Sequence, residues 1–254
     1  MGGFKDVFQR IELKYLMDDD QYNALRARLQ GMAEVDAYGE TSILNIYFDT
    51  PDFKLIRRSL EKPVYKEKLR LRSYGIPKDE TTSFIEIKKK YKGIVYKRRI
   101  GMPYSESLSY LVGREPLEKK SQISNEIDYF VDFYTGLAPA MAISYDRIAM
   151  AGITDPELRI TFDRNIRWRT DNLDLKKGNV GQEILKPGQH LMELKIAGAI
   201  PMNLAHILDE LDIRKTSFSK YGRGYEMMLS QQLEEKKDVL TNLDYLKKGD
   251  KISA

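Results

Sequence analysis

Several short segments of the chain alternate strictly between apolar and charged side chains, and this alternation limits the folds that the chain can adopt. In RIELKY, Glu12 and Lys14 alternate with Ile11 and Leu13. Glu-apolar-Lys occurs again in FIEIKKK and in HLMELKIAG, in segments far apart in sequence. Because successive side chains of a strand point to opposite faces, each segment is expected to form a strand with one apolar and one charged face.

The alternating segments predict eight strands, and the sequence between them predicts helices. The strands are expected at about residues 7–16, 41–49, 64–74, 82–90, 94–102, 141–149, 157–163 and 190–197. Helical patterns occur in QYNALRARLQGM, SESLSYLVG, NEIDYFVDFYTG, PMNLAHILDEL and about residues 220–236. Turn residues at 74–77 and at Lys92-Gly93 join the third, fourth and fifth strands into a meander. Without a linker or a repeat, we expect one domain over residues 1–236 and a C-terminal tail over 237–254.

Composition excludes several classes of protein. The 254 residues include no cysteine, so disulfides, thiol nucleophiles and cysteine metal sites are excluded. Hydrophobic residues make up 42% of the chain, which is enough for a folded core. No apolar run approaches the roughly 18 residues of a membrane span, and residues 1–10 lack the apolar core of a signal peptide. We therefore expect a cytoplasmic protein with no membrane segment.

The charged faces of these strands allow two architectures. In the first, an open antiparallel sheet exposes its charged face to water. In the second, amphipathic helices cover the apolar face, and the sheet closes into a barrel with the charged face inward. The charged faces carry mostly Arg and Lys with three carboxylates, and many like charges on one sheet imply a compensating anion. The sequence therefore predicts an α+β fold, an antiparallel eight-stranded β-barrel tunnel with flanking helices.

A tunnel with this lining suits a polyphosphate and a metal ion. Arginine forks match phosphate oxygens, so the cations predict a ligand with many phosphate groups. Glu12, Glu86 and Glu193 would be costly inside a basic channel unless they hold a positive charge, and their oxygen ligands suit Mg²⁺ or Mn²⁺. Phosphoryl transfer needs this positioning and charge neutralisation more than it needs a covalent nucleophile. Asp163 is interpreted separately, as the partner of a neighbouring arginine.

Eight short motifs together resemble the VTC domain, the polyphosphate-polymerase branch of the triphosphate tunnel metalloenzyme (CYTH-like) superfamily. The motifs are RIELKY, NIYFDTPDF, KLRLRSYG, FIEIKKK, YDRIAM, LRITFD, LMELKI and SFSKYGRG, and they span about residues 5–230. The resemblance implies a β-tunnel that binds ATP or another triphosphate and transfers its γ-phosphate. It also implies that the growing inorganic polyphosphate is threaded through the tunnel.

The resemblance also implies roles for individual residues. The residues expected to clamp the reacting phosphates are Arg70, Arg72, Lys88, Arg147 and Arg159. Further phosphate contacts are expected from Arg10, Lys14, Lys97, Tyr145, Ser219 and Lys220. The metal-binding glutamate of the family falls on Glu193. The sequence departs from the family pattern at Ser217, where the eukaryotic pattern has lysine, and Lys215 lies two residues earlier.

Three other functions remain open. The hydrolytic tunnel enzymes resemble Glu-x-Glu-x-Lys in their first strand, whereas this chain has Arg10 and Glu12 before Lys14, which favours the polymerase over a triphosphatase. A non-catalytic receptor for polyphosphate or inositol phosphates would keep the tunnel without turnover. Tyr91 and Tyr96 among the cations also fit single-stranded nucleic acid, but that function needs an exposed groove, so no nucleic acid is expected. The oligomeric state is left open.

Overall fold

The computed structural model describes residues 10–92 and 94–249, with side chains described for residues 11–92 and 94–237. Within these ranges it has ten strands, six α-helices and a short 3₁₀-helix, Leu175–Lys177. The strands are β1 (Arg10–Asp18), β2 (Ala33–Asp49), β3 (Tyr65–Tyr74), β4 (Thr82–Tyr91), β5 (Ile94–Pro103), β6 (Ala138–Gly152), β7 (Arg159–Arg169), β8 (Gln182–Glu183), β9 (Gln189–Ala197) and β10 (Lys215–Thr216). The helices are α1 (Asp19–Arg28), α2 (Lys54–Leu60), α3 (Tyr104–Leu111), α4 (Gln122–Phe133), α5 (Met202–Glu210) and α6 (Lys220–Gly249).

The eight predicted strands correspond to the eight long strands, and β8 and β10 are two-residue additions. Helix α6 was expected to end near residue 236 but continues to Gly249, so part of the predicted tail is helical. The division into a domain and a tail stays a prediction. Gly93 of the expected turn, residues 1–9 and residues 250–254 lie outside the described residues.

All neighbouring strands of the sheet are antiparallel, and the sheet curls around its charged face. The strand order is β10-β1-β9-β7-β6-β2-β3-β4-β5, with β8 paired to β7. Strands β1 and β4 are each second from an end of this order, yet Glu12 of β1 lies 4.0 Å from the Lys88 ammonium of β4. The curled sheet therefore encloses a tunnel, as the sequence predicted, although no strand ladder joins its two ends within the described residues.

Two hydrophobic cores lie outside the tunnel, under helices. Helices α3 and α4 cover the apolar faces of β3 and β4, where Leu71 and Ile85 are fully buried. Helices α1 and α5 cover β7 and β9 in the same way, around Ile160 and Leu194. Burial of one apolar face of each strand leaves the opposite, charged face for the tunnel.

A third core closes one end of the tunnel. Tyr47 and Tyr145, which share the tunnel side of the sheet, pack with Tyr221 and Tyr225 of α6. A Cβ atom at Gly224 would lie 2.8 Å from Met141 Sδ, so α6 needs glycine there to approach the sheet. Helix α6 therefore packs against the concave side of the sheet.

No described helix is long and apolar enough to span a membrane.

Helix α2 was not predicted, because the side chain that caps its N-terminus does not belong to the residue directly before the helix. Phe53, the residue before the helix, has φ 55° and provides no side-chain cap. Asp49, only 2% exposed, instead accepts hydrogen bonds from the backbone N–H groups of Leu55 and Ile56 at 2.8 and 3.0 Å. Its carboxylate also accepts a hydrogen bond of 2.9 Å from the Tyr221 hydroxyl. Asp49 therefore fixes both α2 and α6 to the end of β2.

Replacing Asp49 with alanine is expected to destabilise the protein by about 2–4 kcal/mol, because four buried donors, the N–H groups of Thr50, Leu55 and Ile56 and the Tyr221 hydroxyl, lose their acceptor. Urea denaturation followed by circular dichroism measures this loss. Asp52→Ala is the control, since Asp52 lies in the same loop but is exposed. An equal loss in both variants would contradict the role assigned to Asp49.

Candidate anion-binding tunnel

The strand register places most of the expected site residues on one face of the sheet. Residues opposite each other in a ladder share a face, and β1 pairs Lys14 with Glu193 of β9. The pairings continue through Thr161 of β7. At the other end of the sheet, Arg70 of β3 pairs with Tyr47 and with Glu86. The sequence-based assignment of side chains to faces is therefore confirmed for these strands.

One group of ion pairs, here the Glu193 cluster, comprises Lys14, Arg147, Asp163, Glu193 and Lys220. Arg147 donates to both oxygens of Asp163, at 2.6 and 2.8 Å, and to Glu193 at 3.1 Å. The Lys220 ammonium lies 2.6 Å from Asp163 and 2.9 Å from Glu193. Lys14 lies 3.4 Å from Glu193. Strands β1, β6, β7 and β9 and the first residue of α6 thus meet in one cluster.

The Glu193 cluster is stabilised by mutual charge compensation. Burial alone would raise the pKa of Glu193, but Lys220, Lys14 and Arg147 outweigh it and hold the pKa well below its ordinary value. Burial alone would lower the pKa of Lys220, but Asp163 and Glu193 raise it. Glu193 and Lys220 are therefore charged at neutral pH, in a cluster of three basic and two acidic side chains.

The second group, here the Glu86 cluster, comprises Arg70, Arg72, Glu86 and Lys97. Arg70 Nε donates to Glu86 at 2.7 Å, and Arg72 Nε lies 3.9 Å from the same oxygen. Lys97 lies within salt-bridge distance of the other oxygen, which receives no hydrogen bond of ordinary geometry. Burial would raise the pKa of Glu86, but Arg70 and Arg72 outweigh it and lower the pKa to about 2. One buried carboxylate thus faces three cations.

Two tyrosines and an asparagine orient the arginines of the Glu86 cluster. Tyr47 accepts a hydrogen bond of 3.2 Å from Arg70, and Tyr145 accepts one of 3.1 Å from Arg72. Arg72 also donates to Asn45 at 2.8 Å. The Tyr145 ring lies under two cations of the Glu193 cluster, since Arg147 and Lys220 lie 5.1 and 4.6 Å from its centroid. Tyr145 therefore connects the two clusters.

Lys68 and Ser219 lie where α6 begins. Ser219 caps the helix by accepting a hydrogen bond of 3.1 Å from the Gly222 N–H, and Lys68 donates to the same hydroxyl at 3.3 Å. Burial lowers the pKa of Lys68 to about 8. Burial would raise the pKa of Tyr47, but Arg70, Lys68 and Arg72 lower it to about 8. Two groups in this part of the tunnel therefore titrate close to neutral pH.

The remaining expected residues lie near the openings. Lys88 lies 4.0 Å from Glu12 and its side chain is 44% exposed. Arg159 begins β7 opposite Lys195 and is exposed, and no ion pair is found for it within the described residues. Arg10 pairs with Ala197 in the ladder, and its side chain lies outside the described part of the chain.

Lys215 does not take the place of the lysine that the family has where this chain has Ser217. Lys215 pairs with Tyr15 in the short ladder between β10 and β1. Tyr15 belongs to the core under α1 and α5, so Lys215 lies on the side of the sheet away from the tunnel. Among the described residues, Lys14 contacts the chain next to Ser217: its ammonium donates a hydrogen bond of 2.8 Å to the Phe218 carbonyl.

Two of the three glutamates fit a divalent cation. The Lys14 ammonium lies 3.5 Å from Glu12 and 3.4 Å from Glu193, so the space between these carboxylates already suits a positive charge. Mg²⁺ is commonly bound by one or two carboxylates together with substrate phosphates. Glu86 belongs to the other cluster, and no group of three or more metal-ligating side chains is found in the described residues. Metal binding by all three glutamates stays a prediction.

Sequence reasoning did not assign site roles to four residues of the tunnel: Asn45, Tyr47, Lys68 and Asp163. Asp163 was interpreted as an arginine partner, and its pairing with Arg147 is confirmed. Its second partner, Lys220, is 57 residues away and could not be inferred locally. Strand parity placed Lys68 on the charged face, and the same reasoning applied to NIYFD would have placed Asn45 and Tyr47 there.

The curled antiparallel sheet with a cation-lined interior has the tunnel architecture that the sequence predicted. A sequence profile described as "VTC domain" matches residues 9–229, and the chain therefore belongs to the VTC domain family. No curated protein sequence matches the chain.

Two solved structures share the fold at low sequence identity. A proposed adenylate cyclase from Bacillus halodurans is 16% identical with a TM-score of 0.52, and the match covers 83% of this chain and 95% of that one. A proposed adenylyl cyclase from Hippeastrum, described as having a dominant triphosphatase activity, is 15% identical with a TM-score of 0.52. That match covers 85% of this chain and 95% of the Hippeastrum protein. At such identities the similarity concerns the fold alone.

The titration of Tyr47 provides a test of the tunnel electrostatics. One tyrosine is expected to ionise at about pH 8, as measured by tyrosinate absorbance. As the pH rises through this value, Tyr47 gains a negative charge and Lys68 loses a positive one, so the affinity for tripolyphosphate should fall. Tyr47→Phe should lose the early titration, whereas Tyr129→Phe, at an exposed helical position, should keep it. An unchanged titration in Tyr47→Phe would contradict this assignment.

Proposed function

We propose that the chain is a metal-dependent polyphosphate polymerase that transfers the γ-phosphate of ATP to a growing inorganic polyphosphate. The observation that carries this proposal is the pair of cation clusters on one enclosed face. Arg70 and Arg72 lie in one cluster, and Arg147 and Lys220 lie in the other. A linear chain of phosphates along this face would contact both clusters, whereas a single phosphate would reach only one.

The carboxylates in both clusters hold the cations in place until a ligand replaces the carboxylates as their partners. Arg147 and Lys220 now bind Glu193 and Asp163, and the several oxygens of a phosphate chain offer the same cations charge-assisted hydrogen bonds of the same kind. When cations turn from Glu193 toward phosphate, Glu193 and Glu12 become free to hold Mg²⁺ or Mn²⁺. The metal ion would contribute neutralisation of charge on the reacting phosphates.

The roles of the individual residues follow from their depth in the tunnel. Arg70, Arg72 and Arg147, whose side chains are 18, 8 and 15% exposed, are suited to clamp phosphates because water is largely excluded around them. Lys88, Lys97 and Arg159 lie nearer the openings and are suited to guide the chain. Tyr145, Ser219 and Lys14 complete the phosphate contacts by hydrogen bonding.

A triphosphatase of the same fold is the second candidate, supported by the structural similarity to the Hippeastrum protein with triphosphatase activity. The polymerase is favoured because the chain has the VTC profile and because Arg10 stands where the hydrolytic pattern has a second glutamate. A receptor for polyphosphate or inositol phosphates would need the cations but would not need Glu193 as a metal ligand.

The test is incubation of the purified protein with γ-labelled ATP and Mn²⁺, followed by gel separation of the products. A ladder of inorganic polyphosphate is expected. Arg70→Ala and Glu193→Gln should each lower the rate by about 10²–10³-fold, the first because it removes a preorganised positive charge at the reacting phosphates and the second because it removes the proposed metal ligand. Arg167→Ala is the matched control, because Arg167 forms its ion pair with Glu183 outside the tunnel.

The products and the binding data separate the three functions. Release of orthophosphate without a ladder would assign the triphosphatase. Absence of turnover together with tight, metal-independent binding of polyphosphate that survives Glu193→Gln would assign the receptor. Thermal unfolding of each variant shows whether a lost activity reflects lost chemistry or a lost fold.

A further inference from the structure

Strands β3, β4 and β5 extend beyond the rest of the sheet at one end. The last pairing between β2 and β3 joins Phe48 to Leu69. Four further residues of β3, from Tyr65 to Lys68, pair only with β4, which continues to pair with β5. The projecting end is therefore a three-stranded surface. Within the described residues, no strand pairs with the edge of β3 there that β2 occupies farther along.

The register orders the projecting end into transverse rows. The outermost row comprises Tyr65, Tyr91 and Ile94, which are 39, 45 and 44% exposed. Val64, just beyond this row, is 64% exposed. Large, partly exposed apolar side chains thus form the tip.

Cations dominate the rows behind the tip. The second row comprises Lys66, Lys90 and Val95, and the third comprises Glu67, Lys89 and Tyr96. Glu67 is buried and accepts hydrogen bonds of 2.6 Å from the hydroxyls of Tyr65 and Tyr134. Lys89 lies 3.9 Å from Glu126 of α4, whereas no ion pair is found in the described residues for Lys66 and Lys90, so the second row presents positive charge. Lys92, at the end of β4, lies 5.4 Å from the Tyr91 ring centroid.

We propose that this tip, residues 64–66 and 90–96 without Gly93, docks on the surface of an anionic lipid bilayer. Rows in a strand are about 3.3 Å apart, so the cations lie one step behind the apolar tip. Interfacial segments insert apolar and aromatic side chains about 5–10 Å into the headgroup boundary, and basic side chains bind the anionic headgroups. The order of the rows matches this profile. The outermost row lies on the face of the sheet opposite Arg70, whereas Lys66 and Lys90 of the second row share the face of Arg70.

Two other occupants fit the surface less well. Nucleic acid would stack on the tyrosines, but the aliphatic side chains Val64, Ile94 and Val95 offer no aromatic face to a base. A second copy of this chain would bring the lysines of the second row close to each other, and like charges placed opposite are destabilising. A lipid surface satisfies both the apolar and the cationic rows.

The test is co-sedimentation of the full chain with vesicles. The chain is expected to bind phosphatidylcholine vesicles that contain about one-third phosphatidylserine. It is expected to bind vesicles of phosphatidylcholine alone only weakly, because lysines close to the membrane are attracted to anionic lipid. High salt should reduce the binding. The double variant Val64→Ser/Ile94→Ser should lower the partition coefficient about tenfold, since two exposed apolar side chains are lost from the tip.

The matched control is Val180→Ser/Ile153→Ser, which changes the same residue types at 47 and 51% exposure elsewhere on the surface. It should bind vesicles like the unaltered chain, and both double variants should keep the affinity for tripolyphosphate. Equal loss in the two double variants, or no binding to anionic vesicles, would overturn the proposal. Binding of single-stranded RNA without vesicle binding, or a dimer that only Val64→Ser/Ile94→Ser disrupts, would replace it.

Discussion

The pairing of buried cations with a few buried carboxylates is the interaction on which this structure depends. Arg147 and Lys220 are largely shielded from water, and such charges are tolerated only when they are paired and hydrogen-bonded. Removing one partner of a buried pair typically costs about 3–5 kcal/mol. Asp163 and Glu193 each form ion pairs with more than one cation. These charges are therefore paired only when strands from both halves of the chain and the start of α6 have come together.

The same compensation restricts which ligands can bind. A ligand must offer the tunnel cations stronger interactions than the carboxylates already provide. A small monoanion would only exchange one ion pair for another. A triphosphate or longer chain presents several charges at a regular spacing, so it can replace contacts in both clusters at once. In the proposed function, a carboxylate such as Glu193 would become available for a metal ion only after this exchange. Anion binding and metal binding would thereby be coupled through the same side chains.

The sequence predicted the fold and the lining of the tunnel well, but not how the lining is divided. Alternation has a period of two residues, so RIELKY and FIEIKKK alone indicate which side chains share a face. Partners across the sheet depend on register, and the irregularity between Ser144 and Asp146 could not be read from the sequence. For the same reason the separation of Glu86 from Glu12 and Glu193 was not predicted. Helix α2 was not predicted because its cap, Asp49, lies several residues before it.

The cations of the tunnel differ in exposure, and this difference would give the tunnel a direction. Lys97 and Lys88 are 42 and 44% exposed, whereas Lys220 is 9% exposed and lies where α6 packs against the concave side. In the proposed function, a phosphate chain that enters past Lys88 and Lys97 would meet partly hydrated lysines first and dehydrated cations last. Electrostatic interactions strengthen as water is excluded, so the terminal phosphate is held most firmly at the inner end. Reaction at the inner end would then favour the phosphate that has passed every earlier contact.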